Sequence, residues 1–209
     1  CLSLFSFSRK EISFLFSTEN YKMFLENTVN HKEQFGWIEV ICGPMFSGKT
    51  EELIRRLVRA KIAKQEVTIF KPTLDDRYSE DYIVSHNKRK IKSLTIKNST
   101  EIEKYSKKSD VIGIDEAQFF DLSPIEICKK LAGHGKRVVV AGLEKDFQAL
   151  PFGPMPQLLV DAEYVMKVNA ICMQCGNPAN FSQRITDEKK QVVIGEIDKY
   201  EARCRKCYT

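Results

Sequence analysis

The sequence feature that most constrains this chain is the segment Gly43–Thr50, GPMFSGKT, which matches the pattern G-x-x-x-x-G-K-[ST]. The glycines let the backbone curl so that successive N–H groups point inward, where they can bind phosphate oxygens. The apolar run 37–42 before it predicts a buried strand, and residues 49 to about 64 predict an amphipathic helix. A chance match in a chain of this size has a frequency of about one in a hundred, and the flanking strand and helix reduce it further. The segment therefore predicts a phosphate-binding loop (P-loop) for a nucleoside triphosphate.

The residues of the P-loop have distinct expected roles. We expect Lys49 to reach the β- and γ-phosphates and the Thr50 hydroxyl to bind Mg²⁺. The helix that begins at Lys49 would add the positive end of its dipole to the cradle. The loop residues expected to contact ATP are Gly43, Pro44, Met45, Phe46, Ser47, Gly48, Lys49 and Thr50.

Short apolar runs alternate with helical patterns over residues 36–169. The pattern predicts further strands at 67–70, 111–114 and 137–143, a weak strand at 91–96 in an otherwise polar, flexible region, and a helix at Pro124–Ala132. Strands that are apolar on both faces and separated by helices are typical of a parallel sheet covered by helices. We therefore predict an α/β fold, with a P-loop (RecA-like) parallel-sheet domain over residues 36–169.

An acidic pair follows one of the predicted strands. The strand at 111–114 runs into Asp115 and Glu116, at what would be the C-terminal edge of the sheet. We expect Asp115 to act on Mg²⁺, directly or through water, which leaves Glu116 for proton chemistry. As a general base, Glu116 would take a proton from water in an ATPase or from a substrate hydroxyl in a kinase. A second metal-side carboxylate without a base role is the competing interpretation of Glu116, and the motif alone does not decide between these.

Four of the seven cysteines form two Cys-x-x-Cys pairs near the C-terminus. Four thiolates at this spacing suit a tetrahedral Zn²⁺ and leave it no open position, so we expect a structural rather than a catalytic metal, and disulfides are the weaker alternative. The 28 residues between the pairs exceed the spacing of the commonest zinc ribbons, so the chain must loop out and return to the metal. We predict a small zinc-binding domain over residues 170–209 with the ligands Cys172, Cys175, Cys204 and Cys207.

The remaining cysteines, Cys1, Cys42 and Cys128, follow no pattern and are interpreted as inert thiols, and a reducing cytoplasm suits all seven. A zinc ribbon that binds nucleic acid and uses ATP as a switch is a further alternative. The net charge of +5 is mild, however, and residues 176–203 are neither strongly basic nor interleaved with surface aromatics. No apolar run approaches the length of a membrane span. We expect a cytoplasmic protein that binds neither nucleic acid nor membrane.

Residues 1–35 are predicted to be a leader. The Phe- and Ser-rich stretch 1–22 carries its charges in the middle, whereas a secretory signal places positive charge before the apolar stretch. The chain opens on Cys1, and Met23 begins a stretch typical of a soluble leader. We interpret residues 1–22 as lying upstream of the true start, with a cleaved organelle-targeting leader as the alternative.

Four motifs, in this order, resemble those of the type II (cellular and bacterial) thymidine kinases: GPMFSGKT, IDEAQFF, FQALPFGPMPQLL and Cys-x-x-Cys…KYEARCRKC. The resemblance extends from about Gly36 to the last residues. It implies transfer of the ATP γ-phosphate to the 5′-hydroxyl of thymidine, giving thymidine monophosphate, with Glu116 as the catalytic base. It also implies action on deoxyuridine, feedback inhibition by thymidine triphosphate and a homotetramer. An ATPase, or a kinase for another nucleoside, is the alternative enzyme.

The resemblance further implies a nucleoside pocket. In the family a zinc-tethered loop, the lasso, covers the nucleoside, and residues 176–203 correspond to that loop. The side chains implied to contact the thymine ring are Met45, Phe119, Phe147 and Tyr200. The residues whose backbone groups are implied to bind the pyrimidine edge are Gln191, Val192, Val193, Ile194 and Gly195.

Three more positions are expected near ATP. Asp75 and Arg77 of DDRYS match a family segment near the phosphates, where Arg77 would offset charge on the transferring group; an ordinary surface loop is the competing interpretation. Gln118 of IDEAQFF is expected there as well. The chain departs from the family at Glu196-Ile197, where relatives commonly read Gly-Ala, and this difference would alter lasso closure or nucleoside affinity.

Overall fold

A six-stranded sheet whose neighbouring strands are all parallel forms the centre of the described residues. The computed structural model describes residues 35–73, 82–84, 90–187 and 199–209. The strands are β1 (Trp37–Cys42), β2 (Val67–Pro72), β3 (Tyr82–Val84), β4 (Lys90–Lys92), β5 (Leu94–Ile96), β6 (Val111–Ile114), β7 (Arg137–Gly142), β8 (Tyr164–Lys167), β9 (Ala170–Ile171), β10 (Pro178–Ala179), β11 (Phe181–Arg184) and β12 (Tyr200–Arg203). The helices are α1 (Lys49–Ile62), α2 (Thr100–Tyr105), α3 (Ser123–Gly133) and α4 (Met155–Asp161). The sheet order is β5-β2-β6-β7-β1-β8, so β7 alone separates the strand before the P-loop from the strand before Asp115.

The central strands are buried on both faces, as their apolar sequences predict. Every residue of β6 and β7 is buried, and Val140 pairs with Val40 on one side and Ile114 on the other. One face of the sheet packs against α1 through a cluster that includes Leu53 and Leu57, and the other face packs against α3 and α4. The predicted parallel sheet with helices on both faces is confirmed.

The two predicted helices form close to their expected bounds. α1 begins at Lys49 and ends two residues before the predicted Lys64, with acidic residues in its first turn and basic residues in its last, as the helix dipole favours. α3 carries Pro124 in its first turn, where a missing N–H costs nothing. The weak strand predicted at 91–96 is instead two short strands, β4 and β5, that belong to different sheets.

Among the elements that sequence patterns miss are the short helices α2 and α4 and the edge strand β8. α2 and α4 have six and seven residues, too few to display a helical period. β8 is an edge strand whose four residues are half-buried or exposed, so it lacks the apolar run that identifies the central strands.

A buried ion cluster joins α1 to the sheet. The Glu39 carboxylate of β1 accepts hydrogen bonds from Arg137 Nε of β7 at 2.6 Å and from Arg56 Nη1 of α1 at 2.5 Å, and the Trp37 indole donates to it at 2.7 Å. Burial alone would raise the pKa of Glu39, but the bonds from Arg137 and the charges of both arginines hold it below its ordinary value.

The C-terminal strands form two small antiparallel pairs, β9–β10 and β11–β12. They surround a third apolar cluster, separate from the two that cover the sheet, containing Ala170, Cys172, Ala179, Ala202 and Cys204.

Contacts divide the chain into Cys1–Gln34, which lies outside the described residues, and Phe35–Thr209, which contains all of them. The leader and the domain boundary near residue 170 stay predictions. None of the helices within the described ranges combines the length and apolar character that crossing a membrane requires.

Candidate active site

The P-loop connects β1 to α1 through a backbone that requires glycine at its first position. Gly43 has φ of 151°, and a Cβ at this residue would lie 2.2 Å from the carbonyl oxygen of Val168, which follows β8. Gly48, just before α1, is also in a positive-φ conformation at 83°. These two turns curl the segment over the start of α1, as a phosphate cradle requires.

Lys49 is buried within the loop. Its Nζ donates a hydrogen bond to the carbonyl oxygen of Pro44 at 2.8 Å. Burial lowers the pKa of Lys49, while the charges of Glu116, Asp115 and Glu144 act in the opposite direction. The ammonium group therefore sits at the end of the sheet among carboxylates, where the negative charge of a bound triphosphate would favour its protonated form.

The acidic pair lies beside the P-loop. Thr50 Oγ1 donates to Asp115 Oδ1 at 3.3 Å, and the Glu116 N–H donates to the same oxygen at 3.1 Å. Burial, followed by the charge of Glu116, raises the pKa of Asp115 to about 7. Two adjacent acids and a hydroxyl at the mouth of a phosphate loop are oxygen donors of the kind that Mg²⁺ prefers, so Thr50 and Asp115 fit a Mg²⁺ that accompanies a triphosphate.

Glu116 is held in an uncommon backbone conformation by its neighbours. Its φ is 52° and its ψ is 39°, in the left-handed region. Gln118 Nε2 donates to Glu116 Oε2 at 2.5 Å, and Gln118 Oε1 in turn accepts the Leu143 N–H at 2.9 Å. The buried Gln118 amide thus fixes the direction of the Glu116 carboxylate. The sequence predicts Gln118 near ATP but does not indicate this bond to Glu116, and the contact of Gln118 with ATP stays a prediction.

The aromatic residues expected at the thymine ring have different contacts. Phe119 is half-buried and meets the buried Phe152 edge to face, with ring centroids 5.6 Å apart. Phe147 contacts a cation, with the Arg184 guanidinium carbon 3.6 Å from its ring centroid. Arg184 also donates to the Tyr200 hydroxyl at 2.6 Å, so one cation joins Phe147 to Tyr200.

Two residues of β11 at this site have no sequence signal that identifies them. Ser182 Oγ accepts the N–H of Met45 at 2.9 Å, which connects the P-loop to the C-terminal region. Arg184, buried against Phe147, is the other. Neither belongs to a phosphate, acidic or cysteine motif, and their alignment with the site depends on how β11 lies in the fold.

The four paired cysteines converge as predicted. Their sulfur atoms all lie within 4.8 Å of one another, and the Cys175 and Cys204 sulfurs are 3.6 Å apart. A tetrahedral zinc ion with bonds of about 2.3 Å separates its sulfur ligands by about 3.8 Å, so the cluster is consistent with a structural zinc site.

The pKa values within the cluster diverge. Burial raises the pKa of Cys172, but N–H groups of Cys204, Gln174 and Cys175 outweigh it and lower the value to about 6. Hydrogen bonds with the thiols of Cys175 and Cys204 raise the pKa of Cys207 to about 12. Four crowded thiols cannot all ionise without a cation, and four thiolates on one dication resolve that conflict.

The unpatterned cysteines in the described residues are poor nucleophiles. Cys42 and Cys128 are buried, and burial raises their pKa values to about 11 and about 12. Both therefore remain protonated thiols at neutral pH, in agreement with their interpretation as inert.

Several predicted positions lie outside the described residues. They are Asp75 and Arg77, the family departure at Glu196-Ile197, and the pyrimidine-edge residues Gln191, Val192, Val193, Ile194 and Gly195.

Comparison with known proteins gives a consistent result. A family model described as thymidine kinase matches residues 36–208. A thymidine kinase from Rhodothermus sp. (strain ITI 518) is 54% identical over 180 residues, which cover 86% of this chain and 84% of the relative. Thymidine kinases from Bacteroides thetaiotaomicron and Bacteroides fragilis are each 53% identical over 186 residues, covering 89% of this chain and 94% of the relative.

Proposed function

Because the chain belongs to the thymidine kinase family and is an ATP-dependent phosphotransferase, we propose that it transfers the ATP γ-phosphoryl group to the 5′-hydroxyl of thymidine. The product is thymidine monophosphate, a DNA precursor made by pyrimidine salvage, and deoxyuridine is a second acceptor. The observation that carries this proposal is the contact of the P-loop with the acidic pair, in which Thr50 bonds Asp115 and Glu116 stands beside them.

The P-loop holds the donor. Its N–H groups and Lys49 bind the β- and γ-phosphates, and Thr50 and Asp115 hold Mg²⁺. When bound, Mg²⁺ neutralises charge on the phosphate oxygens. The hydrogen bond between Thr50 and Asp115 supports this assignment because it brings both expected ligands to one point. Asp75 and Arg77 complete the phosphate site.

Glu116 is the general base. As the 5′-oxygen bonds to the γ-phosphorus, the bond from that phosphorus to the β–γ bridging oxygen breaks, and ADP leaves. The hydroxyl proton moves to the Glu116 carboxylate, which Gln118 orients through its 2.5 Å hydrogen bond. Correct placement of the carboxylate matters because proton transfer requires hydrogen-bond distance to the hydroxyl.

The acceptor lies among the aromatic residues and the lasso. Phe119, Phe147, Tyr200 and Met45 contact the thymine ring, and backbone groups of residues 191–195 bind its edge. The joint contact of Arg184 with Phe147 and Tyr200 supports a shared role for these two aromatics. The zinc site anchors the lasso. The metal has no catalytic role, because four thiolates leave it no open coordination position.

The assembly and regulation we propose are those of the family: a cytoplasmic homotetramer that thymidine triphosphate inhibits. Light scattering on the purified protein measures the oligomer, and a mass of one chain contradicts the tetramer. Titration of thymidine triphosphate into the kinase assay measures the inhibition.

The deciding experiment incubates the protein with Mg-ATP and each nucleoside in turn. We expect phosphorylation of thymidine and deoxyuridine and little ATP turnover without a nucleoside. If neither is phosphorylated, the proposal is wrong, and nucleoside-independent hydrolysis of ATP points to an ATPase instead.

A further inference from the structure

Phe147 lies in a tight loop that follows β7 and is folded around one carboxylate. Asp146 Oδ1 accepts the N–H groups of Gln148 at 2.9 Å and Leu150 at 3.0 Å, and the Asp146 N–H donates to the Leu150 carbonyl at 2.8 Å. Ala149 adopts a φ of 62°. These bonds fix the internal shape of the loop, but its orientation toward the pocket depends on contacts with other elements.

Two of those contacts come from the C-terminal region and meet at Phe147. Arg184 of β11 covers the ring of Phe147 at 3.6 Å. The Tyr208 hydroxyl donates a hydrogen bond to the main-chain carbonyl of Phe147 at 2.7 Å. The ring and the backbone of one residue are thus held independently.

Both the backbone and the ring of Tyr208 are held in place. Its N–H donates to the Cys204 carbonyl at 3.0 Å, next to the Cys207 N–H that donates to the same oxygen at 3.1 Å. Its ring stacks on Phe181, with centroids 4.5 Å apart and planes 18° from parallel. The hydroxyl therefore reaches Phe147 from a side chain fixed by the cysteine cluster and by β11.

We propose that Tyr208 is a positioning residue of the nucleoside pocket, whose hydroxyl fixes the loop that carries Phe147. This inference rests on the proposed function, since it needs Phe147 at the thymine ring. Tyr208 touches the loop rather than the reacting atoms, so its hydroxyl acts on nucleoside binding and leaves the donor site, on the P-loop, alone. A displacement of Phe147 weakens its contact with the ring without altering the Glu116 carboxylate.

The test is Tyr208→Phe, which removes one oxygen and keeps the stacked ring. We expect the KM for thymidine to rise about fivefold, the effect of losing one ordinary hydrogen bond, while kcat and the KM for ATP change less than about twofold. Tyr105→Phe removes the same atom from an exposed residue of α2 and serves as the matched control. A thymidine KM within twofold of the unaltered protein overturns the inference.

Equilibrium dialysis of thymidine without ATP gives a second readout that does not depend on turnover. Weaker thymidine binding by Tyr208→Phe than by Tyr105→Phe supports the inference. If the unaltered protein does not bind thymidine, the proposed function fails and the inference with it; if all three proteins bind equally, only the inference fails. Loss of zinc together with a rise in both KM values indicates a purely structural role and also overturns it.

Discussion

Glu116 shows how much of the site depends on the conformation of a single residue. A left-handed backbone costs a non-glycine residue about 1 kcal/mol, so it persists only where surrounding contacts enforce it. Here the Phe119 N–H donates to the Glu116 carbonyl at 3.1 Å, and the Gln118 amide holds the carboxylate. The turn keeps the Glu116 carboxylate close enough to Lys49 of the P-loop for its charge to oppose the lowering of the Lys49 pKa.

Replacing Glu116 with Gln tests the base directly. Glu116→Gln keeps the size of the side chain but cannot accept the 5′-hydroxyl proton, so we expect kcat to fall about a thousandfold while ATP binding is retained. Steady-state kinetics and binding of a fluorescent ATP analogue measure the two effects. Glu126→Gln, the same change on the exposed face of α3, is the control. A Glu116→Gln enzyme with near-normal kcat removes Glu116 from the base role.

The sequence indicates residues whose chemistry depends on neighbours in the chain, and misses those that depend on the fold. Asp115 and Glu116 are predictable because an apolar strand delivers them to the edge of a parallel sheet. Arg184 is not, since its contact with Phe147 joins residues on different elements that no spacing relates. The hydrogen bond from the Leu143 N–H to Gln118 could not be predicted for the same reason.

At the scale of elements, the Glu39 cluster makes the stability of the β1–β7–α1 unit depend on pH. The pKa of Glu39 is lowered in the folded state, so the carboxylate favours folding above the ordinary value of 4.5, and that contribution is lost as the pH falls below 4.5.

Glu39→Gln measures this contribution. The amide removes the buried carboxylate that pairs with Arg137, whereas Arg56 keeps its ion pair with Glu52, so we expect a loss of about 3 kcal/mol in the free energy of unfolding at pH 7. The difference from the unaltered protein should shrink as the pH falls from 4.5. Denaturant unfolding across this range gives both quantities, with Glu66→Gln on the exposed surface as control. A difference that does not vary with pH contradicts the assignment.

The turn before α4 packs closely against the backbone of Gln118, two residues after Glu116. Gly153 has a φ of 52°, and a Cβ there would lie 2.3 Å from the carbonyl oxygen of Gln118. Gly153→Ala must therefore push the Gln118 turn or unfold its own, and we expect a loss of about 2 kcal/mol together with a lower kcat. Gly133→Ala, at the end of α3 with open space around its Cβ position, should be neutral or slightly stabilising in the same thermal unfolding and kinetic measurements.

At the scale of the whole molecule, the sheet and the four cysteines pack in different apolar clusters. The P-loop lies between β1 and α1, and its Phe46 packs against the cluster that the cysteines form with Ala170, Ala179 and Ala202. Two hydrogen bonds also connect these regions. Ser182 of β11 accepts the N–H of Met45, and the Tyr208 hydroxyl donates to the carbonyl of Phe147. Because Arg184 and Tyr208 both contact Phe147, we expect loss of the metal to affect the acceptor more than the donor.

Cys172→Ala tests this separation. We expect zinc content to fall from one ion per chain to nearly none and the thymidine KM to rise by about tenfold or more, while affinity for an ATP analogue changes by less than about threefold. Elemental analysis and analogue binding give the two results. Cys128→Ala, which removes a thiol buried outside the cluster, should keep its zinc. Equal loss of both affinities shows that the clusters are not independent.

The central strands of the sheet could be predicted because local patterns determine them: apolar strands, a P-loop and a helix that begins at Lys49. The convergence of the cysteines follows likewise from metal chemistry. The short α4, the edge strand β8 and the reach of Tyr208 to Phe147 could not, since they are stabilised by tertiary contacts rather than by their own sequence pattern.

The order of these parts along the chain has a consequence for synthesis on the ribosome. All six strands of the sheet precede residue 168, whereas Tyr208, which holds the Phe147 loop, is translated some forty residues later. Domains generally fold as units, and Phe35–Thr209 is one compact unit. The strands of the sheet and the P-loop therefore leave the ribosome before the residue that anchors the Phe147 loop has been added. We expect the nucleoside site, and with it the transferase activity, to be complete only after this C-terminal segment has been translated.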